Sequence, residues 1–384
     1  MSHTIPYGRQ NITQDDIDTV VEVLKSDFLT QGPHVPEFER AFADYIGVKY
    51  AVAVSNGTAA LHLCSLAMGV KSGDKVITTP ITFVASANCV RYCGGEVLFA
   101  DIDPQTYLLD IIAVEKILKS APKGTYKGII PVDFAGRAVD LEAFRKLADD
   151  YGCWIIEDSC HAPGGYFVDS KGIKQNCGNG EFADLAIFSF HPVKHIACGE
   201  GGMITTNDKA FYDNLRNLRT HGIQQNPELR HYNHGIWYYE MQELGFNYRL
   251  TDMQAALGTS QLHRAVPGLQ RRKDIASVYQ NAFEKKSYIK RQTGVVRGHA
   301  YHLYVVEIEN RDALMQYLRD NCIFTQVHYI PAHLMPYYRN FGWKEGDMPN
   351  AENYYKSCLS LPMYPTLSDE EQNLVINLIN GYYE

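Results

Sequence analysis

The sequence predicts an α/β protein. A mostly parallel sheet covered by helices on both faces is expected first, then a smaller C-terminal α+β domain. Three observations carry this expectation. Strand-like and helix-like segments alternate from about residue 50 to residue 210. The strand-like segments are near-continuous apolar runs, the pattern of strands buried on both faces. After about residue 250 the texture changes to fewer, longer segments ending in a helix, which suits a separate, smaller layer. The expected division is residues 1–250 and 251–384.

YAVAVS (50–55) is β-branched and alanine-rich, and GTAALHLCSLAMG follows it with helical spacing. KVITTP (75–80) is a second strand, followed by TFVASANCVRYCG as a helix, and EVLFADI (96–102) is a third strand. LEAFRKLADDYG (141–152) is an amphipathic helix stopped by glycine, and CWIIEDS (153–159) is a buried strand. DLAIFSF (184–190) and GGMITTN (201–207) complete this set. Residues 220–245, rich in His, Tyr, Asn and Gln, form a long loop, a type usually tied to function or mobility. Beyond it, the helical stretch from Thr251 is interrupted at Pro267. Then come a strand (301–309), a helix (311–321), a strand FTQVHY (324–329) and a closing helix from SDEEQ onward.

Composition narrows the function. The 384 residues are 45% hydrophobic, enough for a large core, and the net charge of −8 gives no basic face for nucleic acid. No run of 18 apolar residues occurs, so no membrane helix is expected. Nine cysteines are scattered without a C-x-x-C pair, the usage of a reducing compartment. The first residues have no apolar secretion segment, and a cytoplasmic protein is expected.

In such sheets ligands bind beyond the carboxyl ends of the strands, so the residues there matter most. The first strand runs into Ser55-Asn56-Gly57-Thr58-Ala59-Ala60. A small turn opening a helix offers unpaired N–H groups and the positive end of the helix dipole to a phosphate; a plain N-cap is the bland alternative. No Walker loop and no G-x-G-x-x-G follows the strand. CWIIEDS ends in Glu157 and Asp158, which face opposite sides of the sheet. One can serve a site, while a structural salt bridge is the alternative. Lys194 follows the AIFSF strand in FSFHPVKHIACGEGG. Most loop lysines are solvated, but one at a sheet edge can be desolvated and attack an aldehyde. His191 and His195 are four apart, yet the glutamate of H-E-x-x-H is missing and Pro192 intervenes, so no metal is expected. His302, on a strand, is read as a satisfied core histidine. His328 and His333 flank Ile330-Pro331 in a loop suited to a sugar or diphosphate. An aldehyde-binding lysine, a strand-end carboxylate and a phosphate cup on one sheet are together what pyridoxal 5′-phosphate requires, and Phe83 is placed to stack on its ring.

Seven stretches then carry a resemblance. FLTQGPHVPEFERAFADYIGVKYAVAVSNGTAALHL, TTPITFVASANCV, FADIDP, IIEDSCHA, FSFHPVKH, GEGGMITT and LGFNYRLTDMQAALG together resemble the DegT/StrS-type sugar aminotransferases, over nearly the whole chain. The resemblance implies the aspartate-aminotransferase-like architecture (PLP fold type I) and pyridoxal 5′-phosphate as cofactor. It implies Lys194 as the residue that bonds to the cofactor and moves the proton, and Asp158 as partner of the pyridine nitrogen. It places His161 near the 3-hydroxyl, Phe83 on the ring, and Gly57, Thr58, Ala59 and Ser189 at the phosphate. Asn247 would reach the neighbouring subunit's phosphate, which implies a homodimer with shared active sites. Relatives with histidine in place of the lysine deoxygenate their sugars; Lys194 implies amino transfer. FLTQGPHVPEFE, FHPVKHIACGEGG and VHYIPAHLMPYYR resemble the branch that aminates C4 of a UDP-linked 4-keto-6-deoxy-N-acetylhexosamine for pseudaminic acid, with L-glutamate as donor. The expected nucleotide-sugar contacts are Tyr7, Arg9, Phe28, Arg249 and His328. A protein that kept this fold but lost catalysis is the non-enzyme alternative, and the joint presence of Lys194, Asp158 and the phosphate turn argues against it.

Overall fold

The computed structural model describes residues 4–224, 226–232 and 234–384. Helices α1 (Gln14–Leu24) and α2 (His34–Ile46) precede the first strand, β1 (Tyr50–Val54). There follow α3 (Gly57–Ala67), β2 (Lys75–Thr78), α4 (Ala85–Tyr92), β3 (Glu96–Phe99), α5 (Ile111–Lys119), β4 (Tyr126–Ile130), α6 (Leu141–Tyr151) and β5 (Trp154–Asp158). A two-stranded ribbon, β6 (Tyr166–Val168) and β7 (Lys174–Asn176), leads to β8 (Leu185–Ser189), β9 (Gly202–Thr206) and α7 (Lys209–Arg219).

Seven of these strands form the main sheet in the order β1-β9-β8-β5-β4-β2-β3. β9 runs antiparallel to both its neighbours and the other pairings are parallel. Six carboxyl ends therefore lie along one edge, and β9 starts there. Gly202 sits in register with Val54 on one side and Ser189 on the other. A Cβ on Gly202 would come within 2.6 Å of the Asn56 carbonyl carbon and oxygen. Only glycine lets the two strand ends approach this closely. β4 was not evident in the sequence because Gly128 interrupts its apolar run. That glycine is required: a Cβ there would lie 2.2 Å from the Trp154 ring.

α3 is buried almost all round, from Gly57 to Ser65, and so shows little amphipathic pattern. α6 has the opposite character. Asp140 caps its first turn, Phe144 and Leu147 face the core, and Gly152 ends it in the left-handed conformation at φ 72°. α8 (Asp252–Leu262) packs on α1 and α2, and its residues Ala255 and Leu262 share a core with Phe38, Phe188 and Phe190. The buried Asp16 carboxylate holds this corner, accepting from Ser260, Gln261 and Arg264 at 2.6–3.1 Å.

The helix break expected at Pro267 lies earlier, at His263–Arg264. α9 (Ala265–Phe283) carries Pro267 in its first turn, where the missing N–H has no intrahelical partner to lose. Next come β10 (Ile289–Gln292), β11 (Tyr304–Ile308), α10 (Arg311–Asp320), the short α11 (Pro336–Arg339), α12 (Pro349–Ser357), β12 (Cys358–Leu361) and α13 (Asp369–Tyr383). The second sheet has the order β10-β11-β12, over a core that includes Tyr279, Phe283, Leu314 and Ile379. The strand expected over 324–329 does not form. That segment makes a single bridge, Gln326 with Ser360, and β12 takes the place beside β11. Its last residues, His328 and Tyr329, line a cavity at the carboxyl edge of the main sheet, with His328 held by Ser360 of β12. Among the described residues no helix is long and apolar enough to cross a membrane.

Candidate active site

The carboxyl edge of the main sheet opens into a cavity of about 480 Å³. Its floor is the turn after β1. The Asn56 side chain accepts from the Ala59 N–H at 2.8 Å, which caps α3. The N–H groups of Gly57 and Thr58 precede the first intrahelical hydrogen bond and stay available. Ser189, at the end of β8, completes this cup: a Cβ on Gly57 would lie 3.1 Å from the Ser189 Cβ. Gly57, Thr58 and Ser189 line the cavity, while Ala59 supports it from beneath with its N–H engaged by Asn56. Two unengaged amides, a hydroxyl and a helix N-terminus suit a phosphate.

Asp158, the last residue of β5, points into the cavity and is 5% exposed. Ser86 Oγ donates to Oδ2 at 2.7 Å, and the Cys160 N–H donates to Oδ1 at 3.1 Å. Because Ser86 gives its proton to Asp158, Thr82 must be the donor of the 2.7 Å bond between the two hydroxyls. The chain Thr82–Ser86–Asp158 thus aims two hydroxyl dipoles at the carboxylate and fixes the direction in which it faces the cavity. Glu157 faces the other side of the sheet, where it accepts from the Gly178 N–H at 2.9 Å. Burial and the nearby Asp133 push its pKa well up.

Lys194 reaches the same cavity from the segment after β8. Desolvation lowers its pKa, opposed by charge on Cys160 and Asp158. No carboxylate lies within 4.0 Å of its amine among the described residues, so no tight ion pair locks it charged. Phe83 presents a ring to the cavity and is 60% exposed. His161 is 5% exposed, accepts the Ala135 N–H at Nδ1 (3.2 Å) and faces the Tyr329 hydroxyl with Nε2 (3.3 Å). An acceptor at Nδ1 puts its proton on Nε2, which donates to Tyr329 and leaves the phenol proton for the cavity. Burial, then the charge of Lys194, pushes the His161 pKa well down. The cavity residues fit pyridoxal 5′-phosphate: a phosphate cup, a carboxylate, a desolvated amine and an aromatic ring converge on one space.

Of the expected sugar contacts, Tyr7 and His328 line the cavity. His328 is held by Ser360 at 2.8 Å, and burial pushes its pKa down to about 3. Arg9, Phe28, Arg249 and Asn247 do not line it; Phe28 is 54% exposed and Asn247 pairs through its backbone with Thr220. His333 lies outside the cavity, fully buried against Glu352 at 3.0 Å. His191 lines the cavity, whereas His195 lies toward His302. Among the described residues, three potential metal-ligating side chains converge only at Asp133, Glu157 and Cys177, on the other side of β5. His302 is not the satisfied core residue expected. It precedes β11, lines the cavity, and its buried Nδ1 has no partner among the described residues. Sequence reading missed Ser86, Thr82, Cys160 and Tyr329. Helical spacing put Ser86 on α4, but nothing local showed which way its hydroxyl pointed.

Comparison with known proteins agrees with this geometry. The model of the DegT/DnrJ/EryC1/StrS aminotransferase family matches residues 10–380. The spore coat polysaccharide biosynthesis protein SpsC of Bacillus subtilis is 39% identical, across 98% of this chain and 97% of its own. The UDP-4-amino-4,6-dideoxy-N-acetyl-beta-L-altrosamine transaminase of Campylobacter jejuni is 36% identical, across 97% and 95%. Among solved structures, Helicobacter pylori PseC, an aminotransferase of pseudaminic acid biosynthesis, superposes with a TM-score of 0.88 at 29% identity, covering 99% of each chain. Spr1654 of Streptococcus pneumoniae, solved in a PLP-form, superposes with a TM-score of 0.87 at 29% identity, covering 98% and 97%. With the cavity above, these matches establish that the chain belongs to the DegT/DnrJ/EryC1/StrS aminotransferase family and is a sugar aminotransferase dependent on pyridoxal 5′-phosphate.

Proposed function

We propose that the chain transfers the amino group of L-glutamate to the C4 keto group of a UDP-linked 4-keto-6-deoxy-N-acetylhexosamine. The product is UDP-4-amino-4,6-dideoxy-N-acetyl-β-L-altrosamine, an intermediate toward pseudaminic acid. The convergence of Lys194, Asp158 and the Gly57 turn on one cavity carries the chemistry. The 36% identity to the Campylobacter transaminase over nearly the full chain supports the substrate.

When bound, the cofactor supplies an aldehyde that bonds to amines and a ring that takes up the electron pair left at the donor Cα. Lys194 holds that aldehyde between turnovers. Once freed by the donor, its amine would take the Cα proton and hand it to the cofactor carbon that had bonded to the lysine, and in the second half-reaction it would carry a proton from that carbon to C4 of the sugar. Its lowered pKa favours the neutral form this work needs. With the cofactor in place, Asp158 would face the ring nitrogen, the Gly57 and Thr58 amides with Ser189 would hold the phosphate, Phe83 would stack on the ring, and His161 would lie by the 3-hydroxyl. Tyr7 and His328 contact the sugar nucleotide.

The active unit in this reading is a cytoplasmic homodimer with shared sites. Asn247 and Arg249, outside this chain's own cavity, then serve the neighbouring one. The exposed side chains of Ile236, Trp237 and Leu244 in the preceding arm supply apolar surface for that contact. Mixing inactive Lys194→Ala and Asn247→Ala subunits tests it: shared sites restore part of the activity, and independent sites restore none.

A substrate screen tests the reaction. Purified enzyme is given L-glutamate with UDP-, dTDP- and GDP-linked 4-keto sugars, and amine formation is followed. The UDP-N-acetylhexosamine should react fastest. Preference for another 4-keto sugar would favour a different polysaccharide precursor, the direction in which the similarity to SpsC points.

A further inference from the structure

We propose that His302 receives the α-carboxylate of the amino donor, through a hydrogen bond from its Nε2–H beside Lys194. The inference rests on the two-substrate reaction proposed above and adds a donor-specific contact to it.

The ring lines the cavity, yet the residue is only 4% exposed. Nδ1 is fully enclosed without a hydrogen-bond partner, and no protein group among the described residues bonds to Nε2 either. A buried imidazole with neither nitrogen satisfied is uncommon, because an unmade buried hydrogen bond is destabilising. Nδ1 is closed off, so only a group in the cavity can satisfy the ring, at Nε2.

The ring is held without using its nitrogens. The Arg272 guanidinium donates to the carbonyls of Tyr301 (3.1 Å), His302 (3.4 Å) and Met363 (3.0 Å), which clamps the backbone. The His302 ring packs 4.3 Å from the His161 ring, centroid to centroid, and 5.9 Å from that of His195. This is a rigid mount for an uncommitted hydrogen-bond donor.

The choice of ligand follows from what else is there. An L-amino acid donor carries its α-carboxylate on the carbon whose proton Lys194 removes, so the carboxylate must be received near that amine. Among the described residues no arginine of this chain lines the cavity, and the Arg249 that would enter from the neighbouring subunit is assigned above to the sugar nucleotide. His161 is engaged at both nitrogens, Tyr329 is tied to His161 through its oxygen and His328 is engaged at Nδ1, so among the described residues His302 is the buried cavity ring with neither nitrogen engaged. Both His302 and Lys194 line this cavity, and burial holds the His302 ring neutral. A neutral donor can bind the carboxylate in one half-reaction and leave no fixed charge against the sugar in the other.

The two half-reactions can be measured separately by the absorbance of the bound cofactor. Three variants are compared with wild type: His302→Phe removes the donor, His302→Gln keeps an N–H, and His302→Asn withdraws it by one methylene. In His302→Phe, the L-glutamate concentration at half-maximal rate should rise on the order of tenfold to a hundredfold, the value of a hydrogen bond to a charged group. The keto-sugar half-reaction should stay within about twofold, on the same reasoning. Gln should recover most of the loss and Asn less. Titration with 2-methylglutamate, which binds but has no Cα proton to lose, should show the same weakening as a spectral shift without turnover. Unchanged glutamate and 2-methylglutamate affinity in both Phe and Asn variants would overturn the proposal. An equal fall in both half-reactions, with lost cofactor, would also overturn it by showing a packing role. If wild type ignores glutamate, the proposed donor is wrong. The same comparison is then made with the L-amino acid that does react, since the α-carboxylate is common to all.

Discussion

At Lys194, burial and neighbouring groups pull in opposite directions. Desolvation favours the neutral amine, and charge on Cys160 and Asp158 favours the ammonium. The net shift is downward, which suits a group that must act as nucleophile and then as base. Lys194→Ala should lower kcat by at least about 10²–10⁴-fold while the protein still takes up cofactor without a covalent bond. Absorbance of the bound cofactor and single-turnover kinetics check both halves of that statement. Ser86 is a quieter participant. Its 2.7 Å bond orients the Asp158 carboxylate, and Ser86→Ala leaves one buried oxygen without its donor. Cofactor affinity should fall about tenfold, the ordinary worth of a hydrogen bond to a charged group, and equilibrium dialysis of the cofactor measures it.

At the scale of elements, β9 decides where the cup lies. As the one strand running against its neighbours, it begins at the edge where β1 and β8 end, and Gly202 sits between the two ends. Gly202→Ala would force a Cβ to within 2.6 Å of the Asn56 carbonyl and 2.9 Å of the Gly57 nitrogen. These are backbone atoms and cannot rotate away. The variant should lose at least about 1–3 kcal/mol of stability and hold phosphate less well. A denaturant titration and inorganic phosphate binding would show both effects. A fully stable Gly202→Ala protein would mean that the β1–β9–β8 spacing is looser than described.

At the scale of the whole molecule, histidines accumulate where the second sheet meets the cavity. His161, His195 and His302 are pushed well down, and His299 and His328 down to about 3, with burial the largest cause in each. Unfolded, each would bind a proton below about pH 6.5. Folded, they stay neutral to much lower pH. The unfolded state therefore binds more protons in this window, and stability must fall as pH drops below about 6.5. Thermal unfolding of the cofactor-free protein at pH 7 and pH 5 checks the sign; equal midpoints would mean these rings are not buried as described.

Much of the site is readable in the chain because it lies at strand ends. An apolar run followed at once by Asn-Gly-Thr, by Glu-Asp or by His-Pro-Val-Lys is a local signal, and burial of the run fixes where the next residue falls. The order of most elements from β1 to β9 was legible for the same reason; α5, the β6–β7 ribbon and β4 were not, and in β4 Gly128 broke the pattern to make room for Trp154. The second sheet was less legible: a mixed segment such as 324–329 can form a strand or line a cavity, and here it keeps a single bridge, to Ser360 of β12, while its last residues line the cavity. His302, Tyr329 and Ser86 belong to the same limit. They come from distant parts of the sequence, and their orientation depends on long-range contacts such as the Arg272 clamp and the Asp158 carboxylate. Local propensity thus determined which residues end the strands of this protein. Tertiary structure alone decided which polar groups surround them, because side-chain direction in irregular backbone is set by packing and not by period.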